Sequence, residues 1–192
     1  MNTIFSVNVY KEKLDIKNKP LINYLLKLKK DSKGRKISNP TGWQSFPIDV
    51  NQDIFLHLNK EIQKKFVKYM ESIPLNNSFQ ISSVWGNING YKDYNTAHIH
   101  PHSAISGIYY LKTPANCGRL CFYNPAEQGI DYLWGHCVKK FTTQNSVLWK
   151  IDIEEGDLIL FPSWLKHSVD PNLNKKEDRI SLAFNISLFT PV

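Results

Sequence analysis

From Phe79 to its last residues the chain is a succession of short runs of Ile, Val, Phe, Tyr and Trp punctuated by Gly, Pro, Asn and Asp. This texture marks many short strands and constrains the fold more than any other feature. The runs place strands near Phe79–Ile88, Ala104–Lys112, Arg119–Tyr123, Val147–Ile153, Asp157–Phe161 and Ile180–Phe189. Strands of this length bury a face only by packing sheet on sheet, so a sandwich or barrel follows. The N-terminal part reads differently. IFSVNVY alternates well enough for one short strand, and a helix follows it, with Pro20 at a first helical position, Leu21, Leu25 and Leu28 at helical spacing and Gly34 as its stop. A second helix starts near Asp53, carries Phe55, Leu58, Ile62, Phe66, Tyr69 and Met70 on one stripe, and is closed by Pro74. Helices first and strands after give an α+β, mainly β chain, a β-core over 76–192 backed by a strand and helices over 1–75.

A length of 192 residues suits a single domain, 1–192, with one sizeable interior. No run approaches a membrane span, and the N-terminus lacks an apolar signal core, so the reading is a cytoplasmic protein without membrane contact. Cys117, Cys121 and Cys137 are odd in number and lack zinc-knuckle spacing, which favours free thiols. The net charge of +7 is concentrated, because ten of the 24 Lys and Arg residues lie between Lys11 and Lys36. That imbalance suits an acidic partner such as nucleic acid. A solvated helical face is the plainer explanation, since no interleaved aromatics or groove-reading motif accompany the lysines.

Three of six histidines lie close together as His98-Ile99-His100-Pro101-His102. On an extended segment a spacing of two turns His98 and His100 to one face, where both could grip a metal ion. A lone His-x-His also occurs on ordinary surfaces, so a third ligand must come from elsewhere. His167 is the candidate, because it follows an acidic turn, the run Leu158–Phe161 and the strand-ending Pro162. His57, in a helix, and His136, in a loop, have no such setting. Twelve residues beyond His167, across the turn-rich run Asp170–Asp178, stands Arg179, with Ser181 two residues on and therefore on the same face. Arginine's planar fork matches a carboxylate, and the serine adds a donor. The plainer alternative for Arg179 is a surface ion pair with Glu177 or Asp178.

Taken together, His98-Ile99-His100-Pro101 with Ser106–Leu111, then Gly156–His167, then Arg179-Ile180-Ser181 resemble the 2-oxoglutarate/Fe(II) oxygenases. The likeness is to the branch related to prolyl hydroxylases and to a group of small bacterial and phage members. It implies a double-stranded β-helix, a jelly-roll or cupin-like barrel, carrying Fe(II) on a facial set of ligands with positions left open for 2-oxoglutarate and O2. His98 and His167 match the family's two histidines. His100 stands where the family usually has Asp or Glu, which implies either three imidazoles on iron, or a ligand elsewhere with His102 in reserve, or a lost activity; halogenation is not implied. Arg179 and Ser181 match the residues that hold the distal carboxylate of 2-oxoglutarate. Tyr110 matches a tyrosine that donates to the same group, and Asn87 an asparagine near the proximal carboxylate, though a turn residue in Gly-Asn-Ile-Asn-Gly explains Asn87 equally well.

The resemblance implies hydroxylation of a C–H bond with release of succinate and CO2. Because imidazoles bind metal only when neutral, activity is expected to fall as pH drops through about 6.5. Two rivals remain. A metal cupin would share the barrel, but the glutamate a cupin carries shortly after its second histidine is missing here, where Ser103 and Ala104 stand, and that reading would leave Arg179 nothing to hold. A non-catalytic β-barrel module would use the basic helix to dock an acidic partner. The primary substrate, whether a protein or peptide residue or a small molecule, is open. Trp85, Trp134, Trp149 and Trp164 are candidates to line its pocket, with core packing as the alternative, and an exposed barrel edge offers two copies a route to a homodimer.

Overall fold

A computed structural model describes residues 6–73, 78–134 and 136–189. The elements run β1 (Tyr10–Lys13), α1 (Asn18–Asp31), β2 (Trp43–Gln44), α2 (Asp53–Met70), β3 (Ser78–Asn89), β4 (Asn95–His98), β5 (Ile105–Lys112), β6 (Leu120–Tyr123), α3 (Glu127–Trp134), β7 (Leu148–Ile151), β8 (Asp157–Pro162), β9 (His167–Val169) and β10 (Arg179–Phe189). Six strands form a major sheet in the order β1-β8-β5-β10-β3-β2, and four form a minor sheet, β4-β9-β6-β7. Every neighbouring pair is antiparallel.

The major sheet separates two cores, because successive side chains of a strand point to opposite faces. Its outer face, with Val84, Ile88, Tyr109, Leu111, Leu158, Leu160, Leu182 and Phe184, packs against Leu21 and Leu25 of α1 and the α2 stripe. Its inner face sends Ile108, Tyr110, Ile159, Phe161 and Ala183 toward Leu120 and Phe122 of the minor sheet. Gly107 of β5 lies directly under the Phe184 ring, where any side chain would collide with it. Bulges near Asn185/Ile186 and Ile180/Ser181 interrupt the ladders of β10. At the first, Ser82 of β3 is the extra residue, and its insertion turns Phe79 and Ile81 to the same helix-facing side as Val84.

The α2 stripe is as the periodicity predicts, with Phe55, Leu58, Ile62, Phe66 and Tyr69 buried. Pro74, the expected stop, lies outside the described residues. The six anticipated strands are present, but the N-terminal one starts at the end of its predicted run. Residues 6–9 are not strand, and Ile4 and Phe5 lie outside the described residues. The register Tyr10↔Leu160 would bring the residues before Tyr10 against Phe161 and Pro162, and proline has no N–H for the ladder. Pro20 is the third helical residue, tolerated because first-turn N–H groups have no helical acceptor. α1 ends at Asp31, with Ser32 as its cap, so Gly34 is not the stop. The sequence does not announce strands β2, β4 and β9 or helix α3; the three strands, Trp43–Gln44, Asn95–His98 and His167–Val169, lack the apolar runs that mark β6 and β7, of four residues each.

Candidate metal centre

His98 ends β4, His167 begins β9, and the two are paired across the ladder, which brings their rings to 4.3 Å between centroids. His100 lies just past β4, its backbone N–H donating to Ser163 O at 3.0 Å. Its ring is 5.1 Å from that of His98 and 5.0 Å from that of His167. One nitrogen from each of the three lies within 4.8 Å of the others. The other nitrogens are committed. His98 Nδ1 donates to Thr96 O at 2.7 Å, His167 Nδ1 to Leu165 O at 2.9 Å, and His100 Nδ1 to Asn185 Oδ1 at 2.6 Å. With the proton on Nδ1, each ring presents the Nε2 lone pair, as a metal-binding imidazole with an outer acceptor does. The Asn185 acceptor is held by Ser106 Oγ at 3.0 Å, which contacts Ser163 Oγ at 2.8 Å.

Burial lowers the pKa of all three histidines, that of His167 to about 3. Their neutral forms therefore persist below pH 6.5, and the acid limit expected at that value moves downward. His102 is exposed with a φ of +64°, and His57 and His136 are exposed, so none joins the cluster.

Beside the histidines lies a cavity of about 260 Å³ whose floor is the inner face of β3, β10 and β5. Register arranges that floor in rows: Asn89 with Arg179, then Asn87, Ser181 and Tyr110, then Trp85, Ala183 and Ile108, then Ser83, Asn185 and Ser106. Polar groups thus occupy one end, an apolar band the middle, and the Asn185 network that holds His100 the other end. Gln44 of β2 extends the second row beyond Asn87.

Arg179 is only 2% exposed, so the surface ion pair with Glu177 or Asp178 is overturned. Its Nη1 donates to Asp170 O at 2.9 Å and to Cys117 O, whereas Nη2 is buried without a partner. Four more buried polar atoms of this cavity lack partners: Tyr110 Oη, Asn87 Oδ1, Asn89 Nδ2 and Gln44 Oε1. Asn87 lies within β3, not in a turn. Burial pushes the Tyr110 phenol upward, so it remains an O–H donor at neutral pH. An orphaned polar atom in a dry interior costs about 1–3 kcal/mol, and the three donors among these, Arg179 Nη2, Tyr110 Oη and Asn89 Nδ2, fit a ligand with several oxygens.

Sequence reasoning missed Asn185, Gln44 and Asn89. For Asn185 the signal was available, because the alternation that puts Ser181 beside Arg179 continues through Ala183 to Asn185. Of the four candidate tryptophans, Trp85 lines this cavity, Trp149 lines a separate groove by β7, and Trp134 and Trp164 are exposed. Cys117, Cys121 and Cys137 are free thiols.

No curated protein sequence matches the chain. Solved structures do match. A prolyl-4-hydroxylase from Pseudomonas putida is similar over 97% of this chain and 95% of its own, with a TM-score of 0.65 and 12% identity. The viral collagen prolyl hydroxylase of Paramecium Bursaria Chlorella virus-1, solved with 2-oxoglutarate, covers 92% and 95% with a TM-score of 0.56 and 16% identity. HygX from Streptomyces hygroscopicus, solved with nickel and 2-oxoglutarate, covers 94% and 83% with a TM-score of 0.61 and 10% identity. These likenesses establish the fold as the double-stranded β-helix of 2-oxoglutarate oxygenases. The sequence profile of the family described as "Putative 2OG-Fe(II) oxygenase" matches residues 83–185, more than half of the chain and the stretch that carries all three clustered histidines, and the chain belongs to that family.

Proposed function

We propose that His98, His100 and His167 hold the Fe(II) of this 2-oxoglutarate-dependent dioxygenase through their Nε2 atoms, with His100 in the place of the usual carboxylate. The observation that carries the reading is the triad of imidazoles with committed Nδ1 atoms, lining the same cavity whose Arg179 end is rich in unpaired polar atoms. Arg179 Nη2 and Tyr110 Oη receive the distal carboxylate of 2-oxoglutarate, with Ser181 as a further donor, while Asn87 faces its other end. When bound, Fe(II), 2-oxoglutarate and O2 supply the oxidising chemistry that hydroxylates a C–H bond and releases succinate and CO2. The protein's share is placement. Arg179 Nη2 and Tyr110 Oη together fix the co-substrate by a two-point carboxylate contact, and Trp85, Ile108 and Ala183 form a water-excluding wall between that anchor and the His100 end.

The prolyl hydroxylases and HygX, whose structure has also been solved with hygromycin B, carry a peptide residue and a small molecule alike into this reading as substrates. Among the described residues no helix is long and apolar enough to cross a membrane. The free thiols suit a single-domain enzyme working in the cytoplasm. The test is succinate formed from 2-oxoglutarate when oxygen is admitted to anaerobically Fe(II)-loaded protein without added substrate. Slow turnover that Arg179→Ala loses while retaining its iron is the expected result. Tight metal binding with no turnover would instead favour a cupin.

A further inference from the structure

The charges of the cavity do not balance without an additional ligand. A divalent ion and doubly charged 2-oxoglutarate cancel one another, and three neutral imidazoles add nothing. Two guanidiniums, Arg179 and Arg35, line the cavity, and no Asp or Glu does among the described residues. Two acidic groups act on Arg179 from outside the lining: Asp170, already engaged by Lys150 at 3.0 Å and by Arg119 at 3.9 Å, and Asp93, which accepts the Gly90 N–H at 2.8 Å. Uncompensated positive charge in a partly desolvated pocket draws an anion, because Coulomb energy there is only weakly screened.

Arg35 is built into the site. Gly34, at a φ of +64°, turns the chain where a side chain would run into Gln44 O, and the next residue then donates its backbone N–H to that oxygen at 2.9 Å. The Nε of Arg35 donates to Ser45 O at 3.0 Å, which steadies the fork and leaves both terminal amino groups uncommitted. Among the described residues Arg35 forms no ion pair, whereas Lys11, Lys13 and Lys29 of the same basic region do. The segment then crosses to the minor sheet, where Ser38 O accepts from Thr96 N at 2.8 Å, one peptide from the carbonyl that holds His98. Arg35 therefore sits on a strap that spans the cavity from the Gln44 row to the metal strand.

We infer that Arg35 is the anchor for the primary substrate, and that this substrate carries a compact oxyanion, a carboxylate or a phosphate, near the carbon to be oxidised. The inference rests on the metal and co-substrate reading above. Arginine suits the role because its two free amino groups can grip either oxyanion bidentately.

Protein loaded with nickel(II) and 2-oxoglutarate, which cannot turn over, is titrated calorimetrically with N-acetylglutamate, N-acetyl-O-phosphoserine and neutral N-acetylglutamine. At least tenfold preference for one or both anions is expected, and the better anion distinguishes a carboxylate from a phosphate substrate. Arg35→Gln should abolish that preference, Arg35→Lys restore part of it, and both should bind 2-oxoglutarate within twofold of the parent. Equal binding of all three probes, or none by any, overturns the inference, as does an Arg35→Gln variant that loses 2-oxoglutarate instead of the anion. Failure of the parent to load nickel and 2-oxoglutarate would bring down the metal reading and this one with it.

Discussion

The two faces of β10 divide the work of the molecule. Ile180, Leu182, Phe184 and Ile186 point outward and are at most 3% exposed within the core under the helices, each contributing roughly 1.5–3 kcal/mol by burial. Arg179, Ser181, Ala183 and Asn185 alternate with them and line the cavity, where polar groups are buried at a cost that only a ligand offsets. One strand thus carries stability on one side and chemistry on the other. Damage to the two sides should be separable.

The largest separation is expected at the metal. His167→Ala should abolish binding of Fe(II) or nickel(II) by equilibrium titration while the far-ultraviolet circular dichroism stays that of the parent. Unfolding of that variant would show that the inner face is structural. Next comes Phe184→Ala, which opens a cavity above Gly107 and should cost about 3–5 kcal/mol in denaturant unfolding. Metal affinity of its folded fraction should be unchanged. A matching drop in affinity would mean that the two faces are coupled.

Asn185 tests how finely the inner face is tuned. Asn185→Ala removes the acceptor from His100 Nδ1 and should weaken metal binding about 10- to 100-fold, the usual cost of losing such an outer partner, with little change in stability. Asn185→Asp keeps an acceptor and should recover most of the affinity. If alanine and aspartate variants behave alike, the hydrogen bond does not orient the ring.

The smallest effect is a pH dependence. Burial lowers the folded-state pKa of His98, His100 and His167, so below about 6.5 the unfolded chain takes up protons that the folded one does not. Stability of the metal-free protein should therefore fall as pH drops from 6.5 toward the His167 value of about 3. Thermal unfolding between pH 7.5 and 5 should show this slope, reduced in His167→Ala.

Much of this was legible in the sequence because it rests on local periodicity. The α2 stripe, the six anticipated strands and the pairing of Arg179 with Ser181 on one face follow from local apolar runs and periods of 3.6 and 2, which no distant contact has to supply. The ordered blocks around His98, His167 and Arg179 likewise carried the family resemblance. What the tertiary structure decided depends on partners far apart in the chain. Whether Arg179 meets Glu177 in water or lies buried against Cys117 and Asp170 is set by the β10 ladders. That Asn185 meets His100, 85 residues away, depends on register and a bulge, and that Arg35 reaches the cavity depends on one left-handed glycine and a two-residue strand. Local propensity acts over a few residues, whereas a site is assembled by sheet register, and a shift of one residue in β10 would turn Arg179 and Asn185 to the other face.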